Sequence, residues 1–158
     1  MTTPMTKALA AAAFLALGAA ALAGPGQPSS ARNLLAVPET DPPDADATGS
    51  LQVKFFPANG ARAERTWVRL RAHRLDRKAD YTMWLDDPAV AGDDFVQWDA
   101  VITTHGRGNV NTRVDTKQGG SMPFGKSAQD LAGAAFQLRN VDGAVVLEGS
   151  FPTLPPPE

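Results

Sequence analysis

The fold prediction rests mainly on one stretch of the sequence, Thr66 to Asp86, which reads TWVRLRAHRLDRKADYTMWLD. In its first half, Val68, Leu70 and Ala72 alternate with arginines and a histidine. This period of two is typical of a β-strand with one buried face, whereas the apolar residues of a helix recur three and four positions apart. After the polar run DRKAD, a second alternation begins at Tyr81. The stretch therefore predicts a strand, a short corner and a second strand.

The corner from Leu75 to Tyr81 resembles the tyrosine corner of fibronectin type III and related immunoglobulin-like domains. In those domains the tyrosine ring packs in the core, and its hydroxyl bonds to backbone a few residues upstream. More strands follow the corner here than in a fibronectin domain. The resemblance therefore implies an immunoglobulin-like Greek-key sandwich rather than membership of the fibronectin family.

A second resemblance covers Ala36 to Val53, AVPETDPPDADATGSLQV. This run is similar to the opening of CHRD domains, which are secreted β-sandwich modules that begin with a Pro- and Gly-punctuated phrase. CHRD domains also carry a His-x-His pair after their second core strand, and the corresponding segment, Tyr81 to Leu85, has none. The resemblance thus implies a secreted sandwich, and no metal or ligand role of those histidines is carried over.

Short alternating segments continue through the rest of the chain, separated by many of its 14 glycines and 13 prolines. They predict an all-β fold, a sandwich of about seven strands over residues 48–152. Phe95 to Thr104 is a predicted strand with an irregularity near Asp99. A predicted hairpin joins Ala134–Val141 to Ala144–Phe151, and its Asp142-Gly143 sequence is typical of a type I′ turn.

The two ends of the chain are predicted to lie outside the sandwich. Residues 1–23 have the pattern of a signal peptide, in which Lys7 precedes an apolar run that ends in the small-x-small sequence Ala21-Leu22-Ala23. This pattern predicts a secreted or periplasmic protein with no stable membrane insertion after cleavage. Residues 24–47 are a Pro- and Asp-rich linker or an edge strand, and residues 153–158 are a Pro-rich tail.

Composition narrows the classes of function. The chain has no cysteine, which excludes disulfides and thiolate chemistry, and its formal net charge of −2 gives no overall reason to expect a nucleic acid partner. No Gly-x-Ser-x-Gly elbow is present. We therefore predict a non-catalytic exported module with a binding, adhesion or envelope-associated role, whose partner is an extracellular protein or a glycan.

The predicted ligand-binding residues are Trp67, Arg69, Arg71 and Trp84, because each falls out of phase with the apolar face of its strand. Basic side chains beside tryptophan rings are suited to an acidic glycan. The alternative is that these residues only keep a sheet face soluble, or that they meet the acidic segment that follows them.

That acidic segment contains Asp86, Asp87, Asp93 and Asp94, which are a predicted calcium site, since calcium prefers six to eight oxygen ligands. The alternative is a solvated turn whose aspartates cap backbone N–H groups. No other cofactor is predicted. An alternative function follows from the same segment: a small secreted hydrolase or calcium-dependent enzyme that uses residues Asp86 to Asp99 and His105. In a third possibility, the N-terminal segment adds a strand to a neighbouring subunit.

Overall fold

The computed structural model describes residues 27–40, 42–92 and 94–155, and these residues form the predicted β-sandwich. Their strands are β1 Ser29–Leu35, β2 Thr48–Phe56, β3 Arg65–His73, β4 Asp80–Asp86, β5 Phe95–Thr103, β6 Val110–Asp115, β7 Ala135–Asn140 and β8 Val145–Ser150. Two 3-10 turns, Thr116–Gln118 and Pro123–Gly125, lie between β6 and β7. Within the described ranges, no helix has the length and apolar character needed to span a bilayer. The predicted signal peptide lies outside them.

The strands form two antiparallel sheets. Sheet A has the order β1-β2-β3-β6, and sheet B has the order β5-β4-β7-β8. Strand β6 returns to lie beside β3, and β7 returns to lie beside β4, which are the long connections of a Greek key. Immunoglobulin constant domains instead join their first, second, fifth and fourth strands in one sheet. The sandwich architecture is thus confirmed, with a strand order that differs from theirs.

The core lies between the two sheets and is built by the alternation in β3 and β4. Val68, Leu70 and Ala72 point inward from sheet A, and Met83 and Leu85 point inward from sheet B, all at most 2% exposed. Truncating a leucine in such a core costs about 2–5 kcal/mol. Because successive side chains of a strand point to opposite faces, the residues between these core residues point outward. The alternation therefore determines which side chains each sheet exposes.

The corner between β3 and β4 has the geometry that the resemblance implies. The Tyr81 ring is 1% exposed, and the backbone N–H of Asp76 donates to its hydroxyl at 3.0 Å. The hydroxyl donates in turn to Asp44 Oδ2 at 2.9 Å. Burial, together with the bond to Asp44, raises the pKa of Tyr81 well above its ordinary value. A neutral tyrosine therefore links the corner to the loop before β2.

Strand β1 closes one side of the sandwich, so the edge-strand alternative describes this part of residues 24–47. It pairs with β2 along its whole length. Just beyond it, Ala36 exchanges two backbone hydrogen bonds with Glu148 of β8, at 2.8 and 2.9 Å. The Asn33 amide also donates to the Ser150 carbonyl at 3.0 Å. At the other terminus, Leu154 of the predicted tail is buried at 7% exposure and belongs to the core.

The irregularity predicted in β5 is confirmed, since Trp98 pairs with Met83 while Ile102 pairs with Tyr81, which leaves two extra residues on β5. The prediction of a type I′ turn between β7 and β8 is wrong. That turn needs positive φ at both central residues, and of Asp142 and Gly143 only Gly143 has it, at 81°.

The side chain of Asn140 explains the difference at this hairpin. Its Oδ1 accepts the backbone N–H groups of Asp142 at 3.1 Å and Ala144 at 2.9 Å, while its carbonyl accepts that of Gly143 at 3.0 Å. These bonds stabilise a turn that begins at Asn140 and reaches positive φ only at its glycine.

Candidate binding face

Sheet A turns a strongly basic surface to solvent, which we call the basic face. Six cationic side chains and a single carboxylate project from the outward positions of its strands. They are Arg32, Lys54, Arg65, Arg69, Arg71, Arg113 and Asp115. The whole chain carries a formal net charge of −2. Six of its 15 lysines and arginines therefore lie on this one face, with a single carboxylate among them.

The pairing register aligns three of these arginines across the sheet. Arg32 lies opposite Gln52, Gln52 opposite Arg69, and Arg69 opposite Arg113. Because neighbouring strands lie about 4.8 Å apart, this row crosses sheet A over roughly 14 Å of backbone. Residues from four strands thus form one row that runs across the strands of sheet A, with Arg69 of β3 inside it.

Two members of this row are like charges on adjacent strands. Arg69 and Arg113 lie directly opposite each other, an arrangement that destabilises a sheet. Arg69 Nε donates to the neutral Asn111 Oδ1 at 2.7 Å rather than to a carboxylate. Folding therefore does not benefit from this juxtaposition, and an anion placed between the two guanidinium groups would relieve their repulsion.

Asp115 is the carboxylate that the basic face does contain. It accepts from Arg65 Nε at 2.8 Å and forms a second bond with the same guanidinium, and Arg113 Nη2 lies 3.1 Å from its Oδ2. The hydrogen bonds from Arg65 lower the pKa of Asp115 below its ordinary value. Its side chain is 1% exposed, so these cations cover it and it contributes little negative surface.

Trp67 lies beside the arginine row, between Lys54 and Asp115 in the register. Its indole is half-buried, and within the described part of the chain neither its N–H group nor the guanidinium of Arg71 forms a hydrogen bond or ion pair. A flat apolar ring and an unpaired cation are therefore both available on this face.

Trp84, the fourth predicted binding residue, faces the other way. It projects outward from sheet B, because the chain crosses from one sheet to the other at the tyrosine corner. Arg139 covers it, with the guanidinium carbon 4.5 Å from the Trp84 ring centroid and 5.2 Å from that of Phe95. Arg139 also donates to Gln137 Oε1 at 2.6 and 2.9 Å. Trp67 and Trp84 therefore lie on different sheets and do not share one surface, and ligand binding by either residue stays a prediction.

The outward surface of sheet B, which we call the opposite face, has the reverse charge balance. Among the side chains that the structure describes there, three carboxylates accompany one arginine: Asp80, Asp86, Glu148 and Arg139. The acidic segment after β4 therefore adjoins this face. It does not neutralise the basic face, as one sequence alternative proposed, because Asp115 of β6 is the carboxylate found there.

The acidic segment is largely engaged within the fold. Asp87 pairs with Lys126 and accepts the backbone N–H of Ala89 at 2.8 Å, and the Lys126 bond lowers the pKa of Asp87. Asp86 Oδ1 accepts the backbone N–H of Asp94 at 2.9 Å. Asp93 lies outside the described residues. Among those described, no group of three or more possible metal ligands is found, and calcium binding stays a prediction.

His105 and the acidic segment do not meet. His105 follows β5 and the acidic segment precedes it. The nine residues of β5 separate the two by about 30 Å, at roughly 3.3 Å per residue. The start of the acidic segment and His105 thus lie at opposite ends of β5, and the alternative enzyme function stays a prediction.

Sequence reasoning missed Arg32 and Arg113. Arg113 is out of phase with Val110 and Val114, and this signal could have marked it as outward-facing. Arg32 lies in a run without clear alternation, which gives no such signal. Their alignment with Arg69 depends on which strands are neighbours, and no local pattern carries that information.

Comparison with known proteins gives this chain no relatives. No protein-family model matches it, and no match was found among curated proteins or solved structures. The immunoglobulin-like and CHRD-like resemblances therefore stay predictions.

Proposed function

We propose that this protein is an exported, non-catalytic module that binds an acidic polysaccharide on its basic face. The observation that carries the proposal is the row of Arg32, Arg69 and Arg113 beside Trp67. Guanidinium groups bind carboxylates and sulfates through paired hydrogen bonds. The indole offers a flat apolar surface of the kind that sugar rings cover.

The repulsion between Arg69 and Arg113 supports a functional reading of the row. The pair weakens the sheet by a fraction of a kcal/mol. The contact of Arg113 with Asp115 offsets part of this repulsion, and an anionic ligand beside Arg69 would relieve the rest. The flat face also suits an extended chain better than a small molecule, since small molecules bind in concave pockets. The predicted export signal favours a glycan over a nucleic acid.

Titration of the mature chain, from Gly24 onward, with defined polymers tests this function. Polygalacturonate and heparin provide carboxylated and sulfated probes, dextran is the neutral control, and single-stranded DNA tests for nucleic acid. We expect binding to at least one acidic polysaccharide, none to dextran, and an affinity that falls steeply with added salt because exposed charges are screened. Equal or tighter binding to DNA would overturn the assignment, as would failure to bind either acidic polymer.

A triple variant locates the site. Arg32→Gln, Arg69→Gln and Arg113→Gln together should lower affinity by about tenfold or more, equivalent to ~1.4 kcal/mol. The matched control removes the same charge from exposed loop positions, as Arg74→Gln, Arg77→Gln and Arg107→Gln, and should bind nearly as the wild type does. Equal losses in both variants would mean that net charge, not the row, drives binding.

Intrinsic fluorescence provides an independent readout of the face that is used. The ligand-induced change in tryptophan emission should disappear in Trp67→Phe and persist in Trp84→Phe. Trp98, which is 4% exposed, remains in both variants as an internal reference. The reverse result would move the site to the opposite face.

A further inference from the structure

A groove of about 920 Å³ opens where sheet A ends, beyond Arg65. Phe56 and Arg65 line it, and these two residues are also register partners at the end of the basic face. Arg62 from the β2–β3 loop and Lys117 from the turn after β6 line it as well. The groove therefore continues the basic face rather than forming a separate pocket.

The β2–β3 loop holds Arg62 in a defined place. Asn59 and Arg62 exchange two backbone hydrogen bonds, of 3.0 and 3.1 Å, which close a tight turn. Gly60 has a φ of 57° in this turn, a conformation that glycine adopts without strain. The Arg62 side chain is exposed and has no hydrogen bond or ion pair among the described residues. It is thus a positioned cation without a protein partner.

Cations continue along β3 into this groove. Arg71, Arg69 and Arg65 all point outward from one strand, and the step from first to last spans about 20 Å. The Phe56 ring follows, with Lys54 Nζ at 5.0 Å and the Arg65 guanidinium carbon at 5.5 Å from its centroid. The positive track therefore does not stop at the sheet edge.

Beyond Phe56, Arg62 and Lys117 extend the track, and Glu64 is the carboxylate among the residues that line the groove. The groove is thus electropositive overall. The groove thus combines the aromatic ring of Phe56 with cationic side chains, as the sheet combines Trp67 with arginines.

We propose that this groove is a second subsite for the same acidic polysaccharide, so that one extended chain lies along β3 from Arg71, crosses the arginine row at Arg69, and ends over Phe56. Arg113 on one side and Arg32 on the other flank the chain from strands about 5 and 10 Å away. The inference rests on the proposed function and adds to it a direction and a minimum length.

An oligomer shorter than about 20 Å, the span from Arg71 to Arg65, reaches the sheet subsite alone. A longer one engages Arg62 and Lys117 as well.

Affinity as a function of oligomer length tests this subsite. The mature chain is titrated with a size-graded series of galacturonate or heparin oligomers, whichever polymer binds more tightly. For the wild type we expect a further gain in affinity, of about threefold or more, once the oligomer exceeds the sheet subsite. The double variant Arg62→Gln/Lys117→Gln should match the wild type with short oligomers and lose the gain with long ones.

The charge-matched control is Arg74→Gln/Arg77→Gln, which removes two exposed cations beyond the other end of β3. It should keep the length-dependent gain. If the groove variant follows the wild-type curve, or loses affinity equally at every length, the second subsite is wrong while the proposed function stands. If the wild type binds no acidic oligomer of any length, the proposed function fails and the subsite fails with it.

Discussion

The outward faces of sheets A and B both combine tryptophan with arginine, but they use the pair differently. On the opposite face, Arg139 is stacked on Trp84 and Phe95 and bonded to Gln137. On the basic face, no cation of the described residues stacks on Trp67, and Arg69 lies opposite another arginine. On the opposite face the arginine and the aromatic rings contact each other within the fold. On the basic face, positive charge and the Trp67 ring remain available to a ligand.

A tryptophan beside an arginine is therefore not by itself a binding signal. A guanidinium stacked on a desolvated ring stabilises a fold by about 0.5–2 kcal/mol, and Trp84 is explained by that role. Better evidence of a binding site is an arrangement of side chains that does not stabilise the fold. The two arginines that lie opposite each other, Arg69 and Arg113, are such an arrangement.

The largest expected effect comes from reversing one charge in the row. Arg69→Glu places a carboxylate opposite Arg113, so folding should become more stable by about 0.2–1 kcal/mol. Affinity for the acidic polysaccharide should fall by at least about tenfold. Chemical denaturation and titration of the same variant check the two results together. Lower stability, or unchanged affinity, would contradict the view that this face trades stability for binding.

A smaller effect is expected on the opposite face. Arg139→Ala uncovers Trp84 and Phe95, and we expect it to lower the free energy of unfolding by about 1 kcal/mol. Affinity for the polysaccharide should stay unchanged. Urea denaturation measures the first effect, and Arg107→Ala, at an exposed position in the turn after β5, is the neutral control. Weakened binding without lost stability would make the two faces equivalent.

The smallest effect concerns the one carboxylate of the basic face. Asp115→Asn keeps the side-chain shape but frees charge on Arg65 and Arg113, so polysaccharide affinity should rise about two- to threefold.

The same substitution should alter the acid dependence of stability. Because the folded-state pKa of Asp115 is lowered, its stabilising contribution is present above about pH 4, the ordinary aspartate pKa, and is lost as the pH falls below that. Thermal melts from pH 7 to pH 2.5 should show a shallower decline for Asp115→Asn than for the wild type. Identical profiles would mean that the Arg65 pair does not contribute to folding.

Much of the fold could be predicted because its signals are local. The alternation around Val68 and Leu70 marks a buried face, and the six-residue spacing from Leu75 to Tyr81 marks the corner. Strand β1 could be predicted only as an alternative to a linker, because the run SSARNLL has no clear alternation. Its strand structure depends on pairing with β2, and the residue after it forms a bridge with β8.

The site was less predictable because it depends on contacts between distant residues. Arg69 and Arg71 could be assigned to an outward face from their phase. Arg32 and Arg113 are separated by 81 positions in sequence and enter the row only through the order of strands in sheet A. The separation of Trp84 from Trp67 could not be predicted for the same reason, since phase within β4 does not reveal that β4 belongs to the other sheet.

The point at which the chain enters the sandwich has a practical consequence. Pro28, just before β1, lies on the rim of the groove that also contains Phe56 and Arg62. A sequence fused shortly before Pro28 is therefore tethered close to that groove. A polyhistidine tag or display carrier attached there would crowd the entrance and, below neutral pH, add positive charge of its own, so recombinant material should have this end trimmed before any ligand is measured.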